Sequence, residues 1–262
     1  MFSRSEALLG EAAMSRLRAA RVLVVGVGGV GSWCAEALVR TGVGHVTLVD
    51  NDVVAESNVN RQCPATAKTI GRPKVEAMAE RLREINPGCE VEEVACRYPA
   101  ATGMSPPRLE ARAFDLVVDA IDSVDCKAEL ILGATEAGVS IVSSMGAALR
   151  LDPTKVKVTR FEKVEGDGLA RALRQRFKRL GRFPAAKFSC VWSTEMAHGA
   201  LLAKAVRRPL PPCGTDVQQA IEQSNNPNNR TIPKGSLMPV TATFGMCLAS
   251  EAIRILTAEE KV

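Results

Sequence analysis

Short apolar runs and amphipathic stretches alternate along residues 1–150. Apolar runs of this length are typical of strands that are buried on both faces of a parallel sheet. The predicted strands are 22–25, 46–50, 91–96, 115–119 and 139–143. Apolar residues at helical spacing between these runs predict helices at 29–41 and 71–85. A cap at Asp122-Ser123 predicts a third helix, which continues to Gly138. This alternation predicts the α/β class, with a doubly wound, mostly parallel, Rossmann-like sheet.

Beyond residue 150 the pattern changes, and residues 151–262 predict a C-terminal elaboration packed on the same domain. The predicted parts are edge strands, one of them from Lys155 to Arg160, a basic helix at 168–181, a mobile loop at 205–235 and a C-terminal helix at 237–256. Residues 1–150 are then the core of the domain, including an N-terminal helix.

The predicted C-terminal helix is apolar and long enough to raise the question of a membrane. Glu251 and Arg254 interrupt its apolar sequence, and its apolar residues recur at helical spacing. This pattern favours an amphipathic helix docked on the protein. A membrane-associated helix is the alternative.

Composition narrows the classes of protein to which this chain can belong. Of the 262 residues 46% are hydrophobic and 24% charged, as in ordinary globular proteins, which excludes disordered and fibrous classes. Eight cysteines are scattered without a Cys-x-x-Cys pair, so neither a structural zinc site nor a disulfide scaffold is expected. Residues 1–6 lack the apolar run of a signal peptide. We therefore expect a reducing, cytoplasmic location.

The first predicted strand leads into the glycine-rich segment Gly26-Val27-Gly28-Gly29-Val30-Gly31. Glycines here permit a tight turn whose backbone N–H groups approach phosphate at a helix N-terminus. Asp50 ends the next strand, where an acid holds ribose hydroxyls. This pattern predicts a nucleotide site, but dehydrogenases, flavoproteins and nucleotide-transferring enzymes all share it.

The polar residues that follow this acid distinguish between these chemistries. They are Asn58, Arg61, Gln62, Lys74 and Asp122. Arg61 and Lys74 can neutralise a triphosphate as pyrophosphate leaves, while the amides orient phosphate oxygens. Asp122 lies just past a central strand, where a carboxylate can hold Mg²⁺. Hydride transfer needs none of these residues, so an NAD-dependent oxidoreductase is disfavoured.

Together these motifs resemble the ubiquitin-activating-enzyme-like superfamily, which includes ThiF, HesA and the molybdopterin-synthase adenylyltransferases. The motifs are Gly26-x-Gly28-Gly29-x-Gly31, Asp50, Asn58-x-Asn60-Arg61-Gln62, Lys74-Val75-Glu76 and Asp119-x-x-Asp122-Ser123. Within that superfamily the chain is most similar to the tRNA threonylcarbamoyladenosine dehydratases. Segments that carry this likeness include Leu8-Leu9-Gly10, Val30-Gly31-Ser32-Trp33 and Ser189-Cys190-Val191-Trp192-Ser193-Thr194-Glu195.

The resemblance implies ATP-dependent activation of the threonyl carboxylate of the modified adenosine, followed by ring closure with net loss of water. It implies a homodimer that acts on tRNA carrying threonylcarbamoyladenosine. The implied ATP-binding residues are Gly26, Gly28, Gly29, Gly31, Asp50, Asn58, Arg61, Gln62 and Lys74. Arg61, Lys74 and Asp122 are the implied catalytic residues, with Asp122 at Mg²⁺. Arg4 resembles an N-terminal arginine that reaches the partner subunit's ATP site in related dimers.

Two alternatives stay open. One is an adenylyltransferase that activates the C-terminus of a ubiquitin-like or sulfur-carrier protein, although such enzymes typically carry two Cys-x-x-Cys pairs for zinc, which this sequence lacks. The other is a non-catalytic, nucleotide-dependent RNA-binding or scaffold protein. Cys190 is read as a buried thiol in preference to a reactive nucleophile. A sulfur-relay protein is a candidate partner.

The basic helix is a second functional signal, because no acid occurs between Gly168 and Thr194. A run of cations interleaved with Phe177, Phe183 and Phe188 is typical either of a solvated face or of a surface that attracts a phosphate backbone and stacks a base. The resemblance to tRNA-modifying enzymes favours the second interpretation. The candidate tRNA-binding residues are Arg171, Arg174, Arg176, Lys178, Arg179, Arg182 and Lys187.

Overall fold

Seven strands form one sheet in the order β3-β2-β1-β4-β5-β7-β6. The computed structural model describes residues 1–98, 110–196 and 235–258. The strands are β1 Arg21–Val25, β2 His45–Val49, β3 Glu90–Val94, β4 Leu116–Asp119, β5 Ser140–Ser144, β6 Val156–Arg160 and β7 Ser189–Ser193. Neighbouring strands are parallel except for edge strand β6, which runs antiparallel to β7.

Helices cover both faces of this sheet. They are α1 Ser3–Leu9, α2 Glu11–Ala19, α3 Gly31–Thr41, α4 Lys74–Ile85, α5 Val124–Glu136, α6 Gly168–Leu180 and α7 Met238–Thr257. Apolar side chains of α2, α3, α4 and α7 pack on one face, and those of α5 and α6 pack on the other. The two faces use alternate residues of each strand, for example Val24 and Leu23 of β1. The predicted doubly wound α/β fold is confirmed.

Sequence reasoning missed β7 and placed one helix at the N-terminus where the structure has two. The strand Ser189–Ser193 has polar ends and follows a basic stretch, so its pattern is weak, yet all five residues are buried. It pairs with β5 and β6 and so extends the sheet past residue 150. Most of the predicted mobile loop at 205–235 lies outside the described residues.

Helix α7 packs against α3 through a close backbone contact. A Cβ on Gly245 would lie 2.6 Å from the carbonyl oxygen of Val30 and 2.8 Å from Cβ of Trp33. Phe244 and Leu248 are fully buried beside it. Within the described part of the chain, α7 is a helix long and apolar enough to cross a membrane. Its burial in the core of this fold favours the docked helix that the sequence predicts.

Candidate functional site

A cleft of about 860 Å³ opens at the carboxyl ends of the parallel strands. It lies across β1 and β4, where the order of the strands along the sheet reverses, which is the usual ligand position in open α/β sheets. The turn after β1, the end of β2, the segment 120–124 and the segment 144–150 line it, together with the first turns of α4 and α6.

The glycines of the turn after β1 serve two different purposes. Gly26 has φ of +93°, and a Cβ there would lie 2.7 Å from the carbonyl oxygen of Ala120. A Cβ on Gly31 would lie 1.8 Å from the carbonyl oxygen of Gly26. Gly28 and Gly29 line the cleft, whereas Gly31 is buried beneath the turn. The structure therefore does not bring Gly31 to the cleft wall, and its role is in packing.

Asp50 fixes the shape of this turn from the end of β2. Its Oδ2 accepts a hydrogen bond of 2.7 Å from the backbone N–H of Val27, and its Oδ1 accepts one of 2.9 Å from that of Asp52. The carboxylate also lines the cleft. Since each oxygen has a second lone pair, the group can still accept bonds from the hydroxyls of a ligand.

The segment 58–62 places three polar side chains opposite the glycine turn. Arg61 lies against Gly29, and its Nη1 donates to the carbonyl of Ser57 and to Oδ1 of Asn60, both at 2.9 Å. Asn58 is buried and also lines the cleft. These contacts hold a cation beside the half-buried Gly29 of the turn.

Gln62 completes this wall of the cleft, and Trp33, which does not line the cleft, bonds to the main chain of Arg61. Gln62 is 7% exposed, and its buried Oε1 has no hydrogen-bond partner among the described residues. The indole Nε1 of Trp33 donates a hydrogen bond of 2.9 Å to the carbonyl of Arg61. Trp33 therefore positions Arg61 through its main chain.

Lys74 begins α4 and is buried although it lines the cleft. Its Nζ donates a hydrogen bond of 2.7 Å to Oδ2 of Asp52. Buried ammonium groups need such a partner because burial without one is costly. Asp52 thus holds the lysine amine at the mouth of the cleft, between Asp50 and the first turn of α4.

Two aspartates follow β4, and their environments differ. Asp119 is fully buried, 2.7 Å from Nζ of Lys127, and accepts a bond of 2.6 Å from the Ser143 hydroxyl. Asp122 is exposed, lines the cleft and has no hydrogen-bond or ion-pair partner within the described residues. The N-cap of α5 is Ser123, without a side-chain cap bond, so Asp122 precedes the cap and does not itself cap this helix.

A buried cluster anchors the chain just below this site. Glu36 of α3 accepts hydrogen bonds from Arg40, Arg81 and the Cys63 thiol. Burial tends to raise the pKa of Glu36, but the bonds from these donors outweigh it and lower the pKa to about 2. Burial and the Glu36 carboxylate raise the pKa of Cys63 to about 12. The cluster is therefore a charge-assisted tie that joins α3 and α4 to the segment after Gln62.

The structure does not bring Arg4 or Cys190 to this cleft. Arg4 is exposed on α1, which follows Phe2, and Phe2 lies near Gly42 at the far end of α3. Cys190 is fully buried in β7, and burial raises the pKa of its thiol. A buried thiol of raised pKa is inert, which agrees with the structural reading of this residue.

The predicted basic segment comprises α6 and the residues that follow it, among them Arg182 and Lys187, and its cations divide into two groups. Arg174, Arg176 and Arg182 are engaged by the protein: the first donates to the carbonyls of Phe161 and Val164, and the others pair with carboxylates of α5. The exposed cations are Arg171, Lys178, Arg179 and Lys187.

The aromatic residues of this segment divide in the same way. Phe177 and Phe188 are core residues that pack with Phe161, so the predicted base-stacking role fits neither of them. Phe183 is 62% exposed. It is the described phenylalanine of this segment that a base could reach.

Sequence reasoning missed Asp52, Trp33 and Arg150 as residues of the site. Asp52 and Trp33 lie beside or within the motifs named above. Their contacts, however, depend on how α3, α4 and the loop between them pack together. Arg150 is 4% exposed and lines the cleft. No motif marks it, because it follows β5 in a segment with little pattern.

Comparison with known proteins places the whole chain in one group. A family model described as the ThiF family matches residues 2–262. The tRNA threonylcarbamoyladenosine dehydratase of Escherichia coli (strain K12) is 36% identical over 265 residues, covering 98% of this chain and 94% of that protein. The protein of the same name from Bacillus subtilis (strain 168) is 39% identical over 180 residues, covering 69% of this chain and 70% of its own.

A solved structure agrees with the sequence comparisons. The crystal structure of E. coli tRNA N6-threonylcarbamoyladenosine dehydratase, TcdA, in complex with ATP has a TM-score of 0.76 and 35% identity to this chain. The match covers 97% of this chain and 93% of that one. The likeness therefore extends over nearly the whole of both chains.

Proposed function

Since this chain belongs to the ThiF family, we propose that it is an ATP-dependent tRNA threonylcarbamoyladenosine dehydratase. The observation that carries the proposal is that Arg61, Lys74 and Asp122 line the same cleft as the half-buried Gly28 and Gly29. These are the groups that transfer of a nucleotidyl unit requires, and hydride transfer would leave them without a role.

In the proposed reaction a carboxylate oxygen of the threonylcarbamoyl group attacks the α-phosphorus of ATP. The bond to the β-phosphate oxygen breaks, and pyrophosphate leaves. An internal nucleophile of the same nucleoside then attacks the acyl-adenylate carbonyl, loses its proton and expels AMP, which carries away the carboxylate oxygen. The modified nucleoside loses one water overall. Once electrophile and nucleophile are held together, the second step needs little covalent help from the protein.

The contacts of the cleft support a direction for the bound nucleotide. Asp50 stands at the end of β2 and would hold the ribose hydroxyls, while Gly28 and Gly29 follow β1 and would face the phosphates. Arg61, opposite Gly29, and Lys74, held by Asp52, would neutralise charge that develops as pyrophosphate departs.

A magnesium ion fits the donors of this cleft only as a companion of the phosphates. Within the described residues, no group of three or more His, Cys, Asp or Glu side chains could hold a metal. Mg²⁺, however, usually takes one or two carboxylates together with substrate phosphates and waters. Asp122, with its unpartnered carboxylate, would supply that contact, and the ion would offset phosphate charge when bound.

A nucleoside mass measurement tests the proposal. The protein is incubated with ATP, Mg²⁺ and tRNA that carries threonylcarbamoyladenosine, and the digested nucleosides are weighed. We expect the modified adenosine to lose the mass of one water, with AMP formed in equal amount. A folded, ATP-binding protein that leaves the mass unchanged refutes the dehydratase function. Pyrophosphate exchange that depends on a small carrier protein would instead indicate the adenylyltransferase alternative.

We propose further that the exposed cations of α6 contact tRNA phosphates. Replacing Arg171, Lys178 and Arg179 together by Glu should weaken tRNA binding by about tenfold or more and flatten its salt dependence, because each lost phosphate contact removes about one unit of slope. ATP affinity should not change, since these residues lie outside the ATP-binding set. The measurement is tRNA affinity at several salt concentrations.

The control changes the net charge equally at exposed cations elsewhere, Arg18, Lys68 and Arg112. It should reduce tRNA binding far less than the α6 variant. Equal effects of the two triple variants would mean that net charge, and not this helix, governs tRNA binding.

The proposal has three further parts. They are a homodimer in which Arg4 reaches the partner's ATP site, contact with a sulfur-relay protein, and a cytoplasmic location. The exposure of Arg4 on α1, away from the cleft of its own chain, supports the first of these. A tRNA substrate supports the last.

A further inference from the structure

Arg150 is a buried cation at one end of the cleft, and it is not among the residues proposed to bind ATP. It is 4% exposed, and its Nε and Nη1 are buried without a hydrogen-bond partner among the described residues. Among the residues that the structure describes, Arg150 forms an ion pair with Asp167, with 3.5 Å between Nη2 and Oδ2. Burying guanidinium N–H groups without partners is costly, so this arrangement is expected where a ligand supplies the missing acceptors.

The backbone on both sides of Arg150 is fixed. Leu149 has φ of +63°, which is uncommon for a branched residue, and its N–H donates to the carbonyl of Gly235 at 2.9 Å. On the other side, the Glu195 carboxylate accepts a hydrogen bond of 3.0 Å from the N–H of Leu151. The guanidinium is therefore held in the cleft by rigid surroundings, as recognition groups usually are.

The N-terminus of α6 faces the same end of the cleft. Gly168, Leu169 and Ala172 from its first turns line the wall. Asp167 caps the helix through Ala170 N–H at 2.9 Å, and the same carboxylate pairs with Arg150. A helix N-terminus adds partial positive charge, so the two features together favour an anion.

Position along the sheet separates this anion from the phosphates of ATP. The ribose and phosphate residues follow β2 and β1, whereas Arg150 follows β5, two strands beyond β1. Neighbouring strands are about 4.8 Å apart, so the carboxyl ends of β1 and β5 are about 10 Å apart. Asp122, after β4, lies between them.

We infer that Arg150 and the N-terminus of α6 bind the carboxylate that is to be adenylated, and so distinguish modified from unmodified tRNA. This inference rests on the proposed function, in which the substrate carries such a carboxylate. An arginine suits the role because its planar guanidinium pairs with carboxylates and stays charged at any physiological pH. Asp167 acts as a positioning residue that holds Arg150 and caps the helix.

The test measures affinity for one tRNA in two forms, with and without the threonylcarbamoyl group, in the absence of ATP so that no turnover occurs. Wild type should prefer the modified form. Arg150→Gln should reduce this preference by about tenfold, since a charge-assisted contact is lost, and Arg150→Lys should give an intermediate preference. ATP affinity should stay within about twofold of wild type, because the ATP phosphates lie elsewhere.

Arg16→Gln is a matched control. Arg16 is also an arginine with a buried, unpartnered Nε, but it lies on α2 and outside the cleft. This variant should keep the preference for modified tRNA. Thermal unfolding of every variant checks its fold, and if Arg150→Gln does not fold, the loss of preference in Arg150→Lys decides.

Three results would overturn the inference. Equal weakening of both tRNA forms would assign Arg150 to a backbone phosphate, weakened ATP binding would assign it to the nucleotide, and an unchanged preference would leave it no substrate contact. The dehydration assay with wild type is separate. A wild type that dehydrates its substrate while Arg150→Gln keeps full preference refutes this subsite alone, whereas absence of dehydration by wild type refutes the proposed function.

Discussion

Arg61→Ala is expected to lower the rate of dehydration by about 10³-fold, because a preorganised cation aimed at developing phosphate charge contributes this much to catalysis. The guanidinium is held over Gly29 by Ser57 and Asn60, and Trp33 holds its main chain. Its removal should slow formation of AMP and of the dehydrated nucleoside in equal proportion. Single-turnover measurement at saturating ATP gives the rate.

The tRNA affinity of this variant should stay within about twofold of wild type, since phosphate contacts of tRNA act through other cations. Arg72→Ala is the matched control. Arg72 lies in the same region of the chain, but it forms surface ion pairs with Glu76 and Glu80 and does not line the cleft. Surface pairs contribute little, so this control should keep nearly full activity. Retention of more than about a tenth of the activity by Arg61→Ala would exclude the assigned role.

Most of the site could be predicted from sequence because its residues stand in local motifs. Asp50 and Asp122 follow strands and Lys74 begins a helix, and parallel strands bring their carboxyl ends to one edge. Arg61 lies in the loop between β2 and α4, within the motif Asn58-x-Asn60-Arg61-Gln62. The parallel arrangement of the strands thus brings residues that are far apart in the sequence close together in space. The structure places these four predicted side chains in the same cleft.

Partners of these residues could not be predicted, because they depend on packing between elements. The tie between Lys74 and Asp52 requires the exact approach of a loop to α4. Sequence shows a run of cations in and after α6, yet the carboxylates that neutralise Arg176 and Arg182 belong to α5. A charge pattern predicts a basic segment but not which of its charges remain free for a ligand.

The same limit applies to β7 and Arg150. Strand β7, Ser189–Ser193, is short and has polar ends. Its place in the sheet is seen only in the structure, where it lies between β5 and β6. Arg150 reads as an ordinary surface arginine until its burial is known. Burial of a charged residue is the signal that sequence does not carry, and here it marks the end of the cleft.

Gly31→Ala is expected to destabilise the fold by about 3 kcal/mol or more, because the added methyl cannot be accommodated by side-chain movement. The atom it meets at 1.8 Å is the backbone oxygen of Gly26, and Ala120 lies 3.0 Å away on the other side. Relief requires the turn to separate from the start of α3, which would also expose core residues. Urea unfolding monitored by circular dichroism measures the loss.

Gly28→Ala separates the two purposes of the glycine motif. Its Cβ would meet Gln62 Nε2 at an ordinary 3.9 Å, so the free energy of unfolding should change by less than about 1 kcal/mol. The methyl would enter the cleft wall, where backbone N–H groups must approach phosphate, so ATP affinity should fall by about tenfold or more. If instead Gly31→Ala unfolds like wild type, or Gly28→Ala binds ATP like wild type, then the glycines do not divide in this way. The division follows from geometry: the motif needs one glycine where two backbone segments cross and another where the backbone faces a ligand.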